Sequence, residues 1–91
     1  MDMQQLLSGL KVDLGIRADA YDQRLRDRLC EAQERLAAEG ITLEDTQADR
    51  DLVIMYAAWL WKNRIDGDPM PRMLVIARNN RLFGRKARTD T

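Results

Sequence analysis

The residues with the clearest capacity for chemistry are basic and lie near the end of the chain. Residues 72–88 hold five arginines and one lysine, with Asn79 and Asn80 among them. Arginine and asparagine read base edges in the major groove of DNA, and arginine also pairs with carboxylates in a two-pronged geometry. This basic end is a candidate surface for an acidic protein or for DNA. Its candidate partner-facing residues are Arg78, Arg81, Arg85, Lys86 and Arg88.

This sequence contains few of the residues that catalysis or metal binding requires. It contains no histidine and a single cysteine, Cys30, so neither a Ser-His-Asp nor a Cys-His set is possible. It also has no glycine-rich phosphate loop and no cluster of metal ligands. We therefore expect no enzyme activity, no catalytic residue, no cofactor and no metal. Cys30 lies beside an apolar stripe and is expected to be a small buried filler.

Charge is unevenly distributed along the 91 residues, although the formal net charge is zero. Residues 1–68 carry nine Lys/Arg and fourteen Asp/Glu, a net charge of −5, whereas residues 69–91 carry six and one, a net charge of +5. The chain therefore combines an acidic body with a basic end. A lone cysteine and the absence of a secretory signal favour a soluble protein made in the cytoplasm.

The elements that position these residues read as helices, since no period-two strand pattern occurs. Leucines recur at helical spacing over 3–14. A second apolar stripe, within a helix expected over 20–39, consists of Tyr21, Leu25, Leu29, Ala32 and Leu36. Each segment is followed by Gly-Ile, which predicts a Schellman end at Gly15 and again at Gly40. Asp2 and Asp19 are the N-cap candidates.

Two further helices follow. Thr46 and Asp49 resemble a capping box before a helix over about 47–65, which Gly67 is expected to end. A fourth helix is expected over 71–83, because proline is accepted in a first turn and Gly84 should break it. Its predicted inner face consists of Met73, Ile76, Ala77, Asn80 and Phe83. The prediction is one all-α domain over 1–91, a small bundle of about four helices, ordered over about 3–83, with a flexible basic tail at 84–91.

The third helix is the most unusual element. Residues 52–61 read LVIMYAAWLW, without a charge, so the helix is apolar all the way round. Such a helix must be covered on every side, and so short a chain has few other helices for this. We therefore expect another copy or a partner to supply the cover. The candidate interface residues are Val53, Ala57, Leu60, Trp61 and Arg72.

The sequence leaves three functions open at this point. The first is a structural assembly protein that associates through the third helix. The second is a small DNA-binding regulator, in which the third and fourth helices form a helix-turn-helix. The third is a free-standing helical adaptor for a cytosolic partner.

Several stretches resemble the small head–tail connector, or adaptor, proteins of tailed phages and prophages. The stretches are LVIMYAAWL at 52–60, MPRML at 70–74 and NNRLF at 79–83, together with the opening leucines, Gly15-Ile16 and Tyr21-Asp22. The likeness covers nearly the whole chain and consists mostly of hydrophobic spacing, with the second and third motifs carrying the most weight. The chain lacks a long acidic or extended insertion.

This resemblance implies a non-enzymatic virion subunit. Such a subunit forms a homo-oligomeric ring below the portal, in some cases only with that partner present, and extends the DNA channel toward the tail. The implied partners are further copies, the portal protein, a downstream stopper or tail-completion protein, and channel DNA bound without sequence specificity. The implied location is the head–tail interface of the virion, after assembly in the host cytoplasm.

Overall fold

The computed structural model describes the backbone of residues 1–66 and 69–89 and the side chains of residues 1–63 and 69–83. These residues form four helices and one 3-10 turn, with no strand among them, which confirms the all-α class. The helices are α1 (Met3–Leu14), α2 (Asp22–Ala38), α3 (Gln47–Asp66) and α4 (Arg72–Thr89). None of the described helices has the length and apolarity that crossing a membrane requires.

Both ends of α1 and the C-terminal end of α2 are capped as predicted. The Asp2 side chain accepts a hydrogen bond from the Gln4 N–H at 3.0 Å. Gly15 has φ 71° and Gly40 has φ 97°, a left-handed conformation that glycine adopts without steric cost. In both turns the following isoleucine N–H donates to a carbonyl five residues earlier, as in a Schellman end.

The start of α2 differs from the prediction that Asp19 is its N-cap. Asp19 begins the 3-10 turn Asp19–Tyr21, and α2 starts at Asp22 with no side-chain cap. The Asp19 and Asp22 carboxylates instead accept hydrogen bonds from Lys11 Nζ, at 3.0 and 2.8 Å. The two acidic residues therefore join the end of α1 to the start of α2.

Lys11 gives this joint a pH dependence. Hydrogen bonds to the carboxylate of Asp22, and to a smaller extent to that of Asp19, raise the pKa of its ammonium group. Its contribution to stability is therefore complete below the pKa of an unfolded lysine, about 10.4, and is lost as pH rises through the higher folded value.

We expect Lys11→Met to lower the melting temperature at about pH 8, and the difference from wild type to shrink above about pH 10.5. Lys62→Met, at an exposed position of α3, is the control. A Lys11→Met deficit that stays constant up to about pH 12 would contradict this role.

The core is built around α3. α1, α2 and α4 all pack against this helix, and its buried side chains include Leu52, Val53 and Tyr56. Leu6, Leu7 and Leu10 come from α1, and Leu25, Leu29, Ala32 and Leu36 come from α2. The chain's own helices thus cover most of the apolar run, and the expectation that another copy must cover it is wrong.

Three smaller expectations are also corrected. Cys30 is exposed rather than a buried filler. Tyr21, expected at the start of the α2 stripe, is 43% exposed. The α4 backbone continues past Gly84 to Thr89, so the predicted helix end at residue 83 is wrong. The helix stop expected at Gly67 lies outside the described residues.

Candidate functional site

The structure places most of the predicted interface inside the subunit. Val53 and Ala57 are fully buried and Leu60 is 8% exposed, so these three side chains belong to the chain's own core. Trp61 is half-buried, with its ring edge-on to Tyr21 at 5.9 Å between centroids. Of the five predicted residues, only Arg72, in the first turn of α4, is exposed.

Arg81, predicted to face a partner, holds α4 against the rest of the chain. Its Nε donates to Asp49 Oδ1 at 2.9 Å and its Nη2 donates to the Thr42 carbonyl at 2.6 Å. A second bond joins Nη2 to Asp49 Oδ2 at 3.3 Å. The hydrogen bond with Asp49 raises the pKa of Arg81 further above its usual value. This two-pronged pair ties α4 to the start of α3 and to the connector before it.

Asp49 is the buried polar centre of this arrangement. It is 2% exposed, and its Oδ2 also accepts a hydrogen bond from the Glu44 N–H at 2.8 Å. Its own N–H donates to Thr46 Oγ1 at 3.2 Å. The predicted capping box is therefore half correct: Thr46 caps α3, but the Asp49 carboxylate turns toward Glu44 and Arg81. The sequence carries no local signal for this pairing, because Asp49 and Arg81 lie 32 residues apart.

Arg78 is also paired within the chain. Its Nη1 lies 3.4 Å from Glu39 Oε1, at the end of α2. Two of the five residues predicted to face a partner thus form intramolecular ion pairs. The side chains of Arg85, Lys86 and Arg88 lie outside the described residues. Because the side chains of Arg78 and Arg81 contact acidic residues of their own subunit, they do not form a surface that could read DNA bases.

These contacts reverse the predicted orientation of α4. Its inward residues are Leu74, which is 1% exposed, with Arg78 and Arg81 on the same side. The stripe predicted to be internal lies largely outside. Met73 is 71% exposed, Ile76 is 42% exposed and Phe83 is 61% exposed. Ala77 alone of that stripe packs partly against the core.

The outer residues form one continuous face, which we call the α4 seam. Its members are Met73, Ile76, Asn80 and Phe83, all exposed. Their spacing of three, four and three residues is that of positions a and d in a coiled coil, the spacing at which a helix presents an apolar stripe to another helix. Exposed apolar side chains grouped on one face mark interaction surfaces, whereas scattered ones do not. The α4 seam is therefore the candidate functional site.

The helix that carries the α4 seam is strongly basic. Residues 72–89 include six arginine or lysine residues and no acidic residue. Arg72 is exposed beside Met73. A partner surface for the α4 seam should therefore combine an apolar centre with acidic edges.

Metal binding finds no support in the described part of the chain, where no group of three histidine, cysteine or acidic side chains is placed to hold an ion.

No protein-family model matches this chain, and no curated protein or solved structure is significantly similar to it. The resemblance to head–tail connectors is therefore carried by the sequence motifs alone. Two of these motifs now have a structural setting. MPRML at 70–74 leads into α4 and contains Met73 of the seam, and NNRLF at 79–83 contains Asn80, Phe83 and the anchor Arg81.

Proposed function

We propose that this chain is a structural subunit of a phage or prophage head–tail connector, forming a ring below the portal that extends the DNA channel and links head to tail. In this role it performs no catalysis. Its partners are further copies of itself, the portal protein, a downstream stopper or tail-completion protein, and the DNA passing through the channel.

The observation that carries this proposal is the exposure of the α4 seam. A small domain gains stability by burying large apolar side chains, yet this chain leaves Met73 71% exposed and Phe83 61% exposed on its last helix. Leu74, next to Met73, is buried in the same first turns, so α4 packs against the subunit through one side and still presents a second apolar face. An assembly subunit needs such a face, because its contacts are completed by other chains.

The basic charge of α4 fits the same role. Arg78 and Arg81 fix the helix to the subunit, while Arg72 is exposed at its start. Arginine binds carboxylates through a fixed fork of donors, which suits an acidic surface on the portal or on a neighbouring subunit. Phosphates of channel DNA would meet the same charge without reading its sequence.

The helix-turn-helix alternative is less well supported by these contacts. A recognition helix presents polar and basic side chains to base edges. The outward face of the described part of α4 presents Met73, Ile76 and Phe83, with Asn80 among them and Arg72 beside them, so it is largely apolar. A regulator would bind one duplex sequence with a preference that survives moderate salt, whereas a connector subunit should bind weakly and lose the DNA as salt rises.

Portal binding tests the proposed function. We expect the wild-type chain to co-elute with the portal protein encoded in the same phage genome. A chain lacking residues 85–91 should keep its helical circular dichroism but bind the portal more weakly, because it lacks three cations. The control is the double variant Arg17→Gln, Arg24→Gln, which removes two cations at exposed positions far from α4 in sequence. Absence of wild-type co-elution, together with salt-resistant binding to one DNA sequence, would replace this proposal with the regulator.

A further inference from the structure

A groove between α1 and α3 has the chemical character that the α4 seam requires. Its volume is about 310 Å³, and its lining includes Gly9 and Val12 of α1 and Ile54 of α3. Val12 is 83% exposed, the most exposed of the large apolar side chains in the described residues. A Cβ atom on Gly9 would lie 2.6 Å from Ile54 Cδ1, so the missing side chain lets Ile54 lie across α1. Val12 and Ile54, with Leu6, are the apolar residues of the lining.

The groove also has acidic lining residues. Asp13 of α1 and Asp51 of α3 line it, and both are exposed. Arg50, the one cation in the lining, is paired with Asp45 at 2.7 Å. The groove therefore combines apolar and acidic lining residues, which complement the apolar face and the basic charge of α4.

Charge also argues against pairing of two α4 helices with each other. Each carries six cations and no anion. Two of them, Arg78 and Arg81, are paired with Glu39 and Asp49 of the same subunit, so a symmetric contact would bring the remaining like charges together, and like-charge contacts across an interface are costly. A larger cavity of about 760 Å³ at the end of α2 has Glu34 as its single acidic lining residue. The α1–α3 groove is the better match on charge.

We infer that the α4 seam of one copy docks in the α1–α3 groove of the next copy. This inference rests on the proposed self-assembly, and it names the two surfaces that meet. The contact is heterologous, since the seam and the groove are different parts of one chain, and repetition of such a contact closes into a ring when its rotation allows. Met73 and Ile76 lie against Val12 and Ile54, and Arg72, the exposed cation of the described part of α4, faces the acidic residues Asp13 and Asp51.

Disulfide trapping tests the pairing. Every variant except one control carries Cys30→Ser, which removes the exposed natural thiol. A Val12→Cys chain and an Ile76→Cys chain are mixed at high concentration, with and without the portal protein, and oxidised, and the cross-linked dimers are identified by mass spectrometry. We expect the mixed dimer to form. The Ile76→Cys chain oxidised alone should give no dimer above background.

The natural chain provides the matched control. Cys30 is an exposed thiol on α2, outside the groove, so the wild-type chain mixed with the Ile76→Cys chain should not cross-link. Dimers of the Ile76→Cys chain alone would overturn the inference in favour of symmetric α4 pairing. Equal cross-linking at Cys30, or no mixed dimer, would overturn it as well. If wild-type rings still form in either case, the proposed function stands and only this pairing falls.

Discussion

A chain carrying Ile76→Glu is expected to fold normally and to lose self-association. Ile76 is 42% exposed in the single subunit, and substitutions at such surface positions usually change stability by no more than about 0.5 kcal/mol. The melting temperature should therefore stay within about 4 °C of wild type. In the proposed assembly Ile76 lies in the contact between copies, where loss of an anchor costs at least about 2 kcal/mol, or about 30-fold in affinity.

The measurement combines light scattering over a concentration series with a thermal melt. Gln4→Glu is the matched control, because it introduces the same residue at an exposed position of α1 and should change neither property. The two readouts separate the two possible orientations of α4. A melting temperature many degrees below wild type would show that Ile76 lies inward, as its spacing suggests and contrary to the structure. Unchanged association in a folded variant would show that the α4 seam is not the contact.

Asp49→Ala is expected to be the most destabilising change of a charged residue. Asp49 is 2% exposed and accepts hydrogen bonds from Arg81 and from the Glu44 N–H. Its removal leaves the Arg81 guanidinium, whose side chain is 21% exposed, without its carboxylate. Hydrogen bonds to charged groups contribute about 1.5–3 kcal/mol each, and breaking a buried pair costs about 3–5 kcal/mol. Because Arg81 is partly solvated, we expect a loss of about 2–4 kcal/mol, or a fall of about 10 °C or more in melting temperature.

Glu39→Ala provides the comparison for this prediction. Glu39 pairs with Arg78 at 3.4 Å, and both side chains are a quarter to a third exposed, so its loss should cost at most about 1 kcal/mol. A double-mutant cycle of Asp49→Ala with Arg81→Ala measures the coupling of the central pair. An Asp49→Ala variant no less stable than Glu39→Ala would contradict the anchoring role. Hydrogen exchange should also show faster opening of α4 in Asp49→Ala, because this pair tethers α4 to the start of α3.

The parts of the fold that local chemistry determines could be predicted from the sequence. Leucine spacing predicts the α1 and α2 stripes, and the two Gly-Ile pairs predict how these helices end. The Asp2 cap involves a residue two positions away. In each case the partners lie within one or two turns of the chain, so the spacing of residue types contains the information.

The orientation of α4 could not be predicted in this way. Its sequence carries a stripe through Met73, Ile76 and Phe83 and a shorter apolar set, Leu74 and Leu82, on another side. The longer stripe is the natural choice for the core. The structure buries Leu74 because Arg81 reaches Asp49 on that side. This choice depends on a carboxylate in another helix, which no local pattern reveals.

The same limit explains the misplaced interface on α3. Its uniformly apolar sequence shows that the helix is covered on all sides, but not which chain supplies the cover. Val53 and Ala57 meet the subunit's own helices. The apolar surface left for a partner lies on α4, in residues that the sequence pattern placed in the core.

The mass of the wild-type chain in solution shows most directly whether it assembles into a ring. Light scattering on the purified chain, alone at high concentration and mixed with its portal protein, measures that mass without any substitution. We expect one closed species that contains a whole number of 10.6 kDa chains, in at least the sample with the portal protein. Electron microscopy should show this species as a ring. A 10.6 kDa monomer in both samples would contradict it.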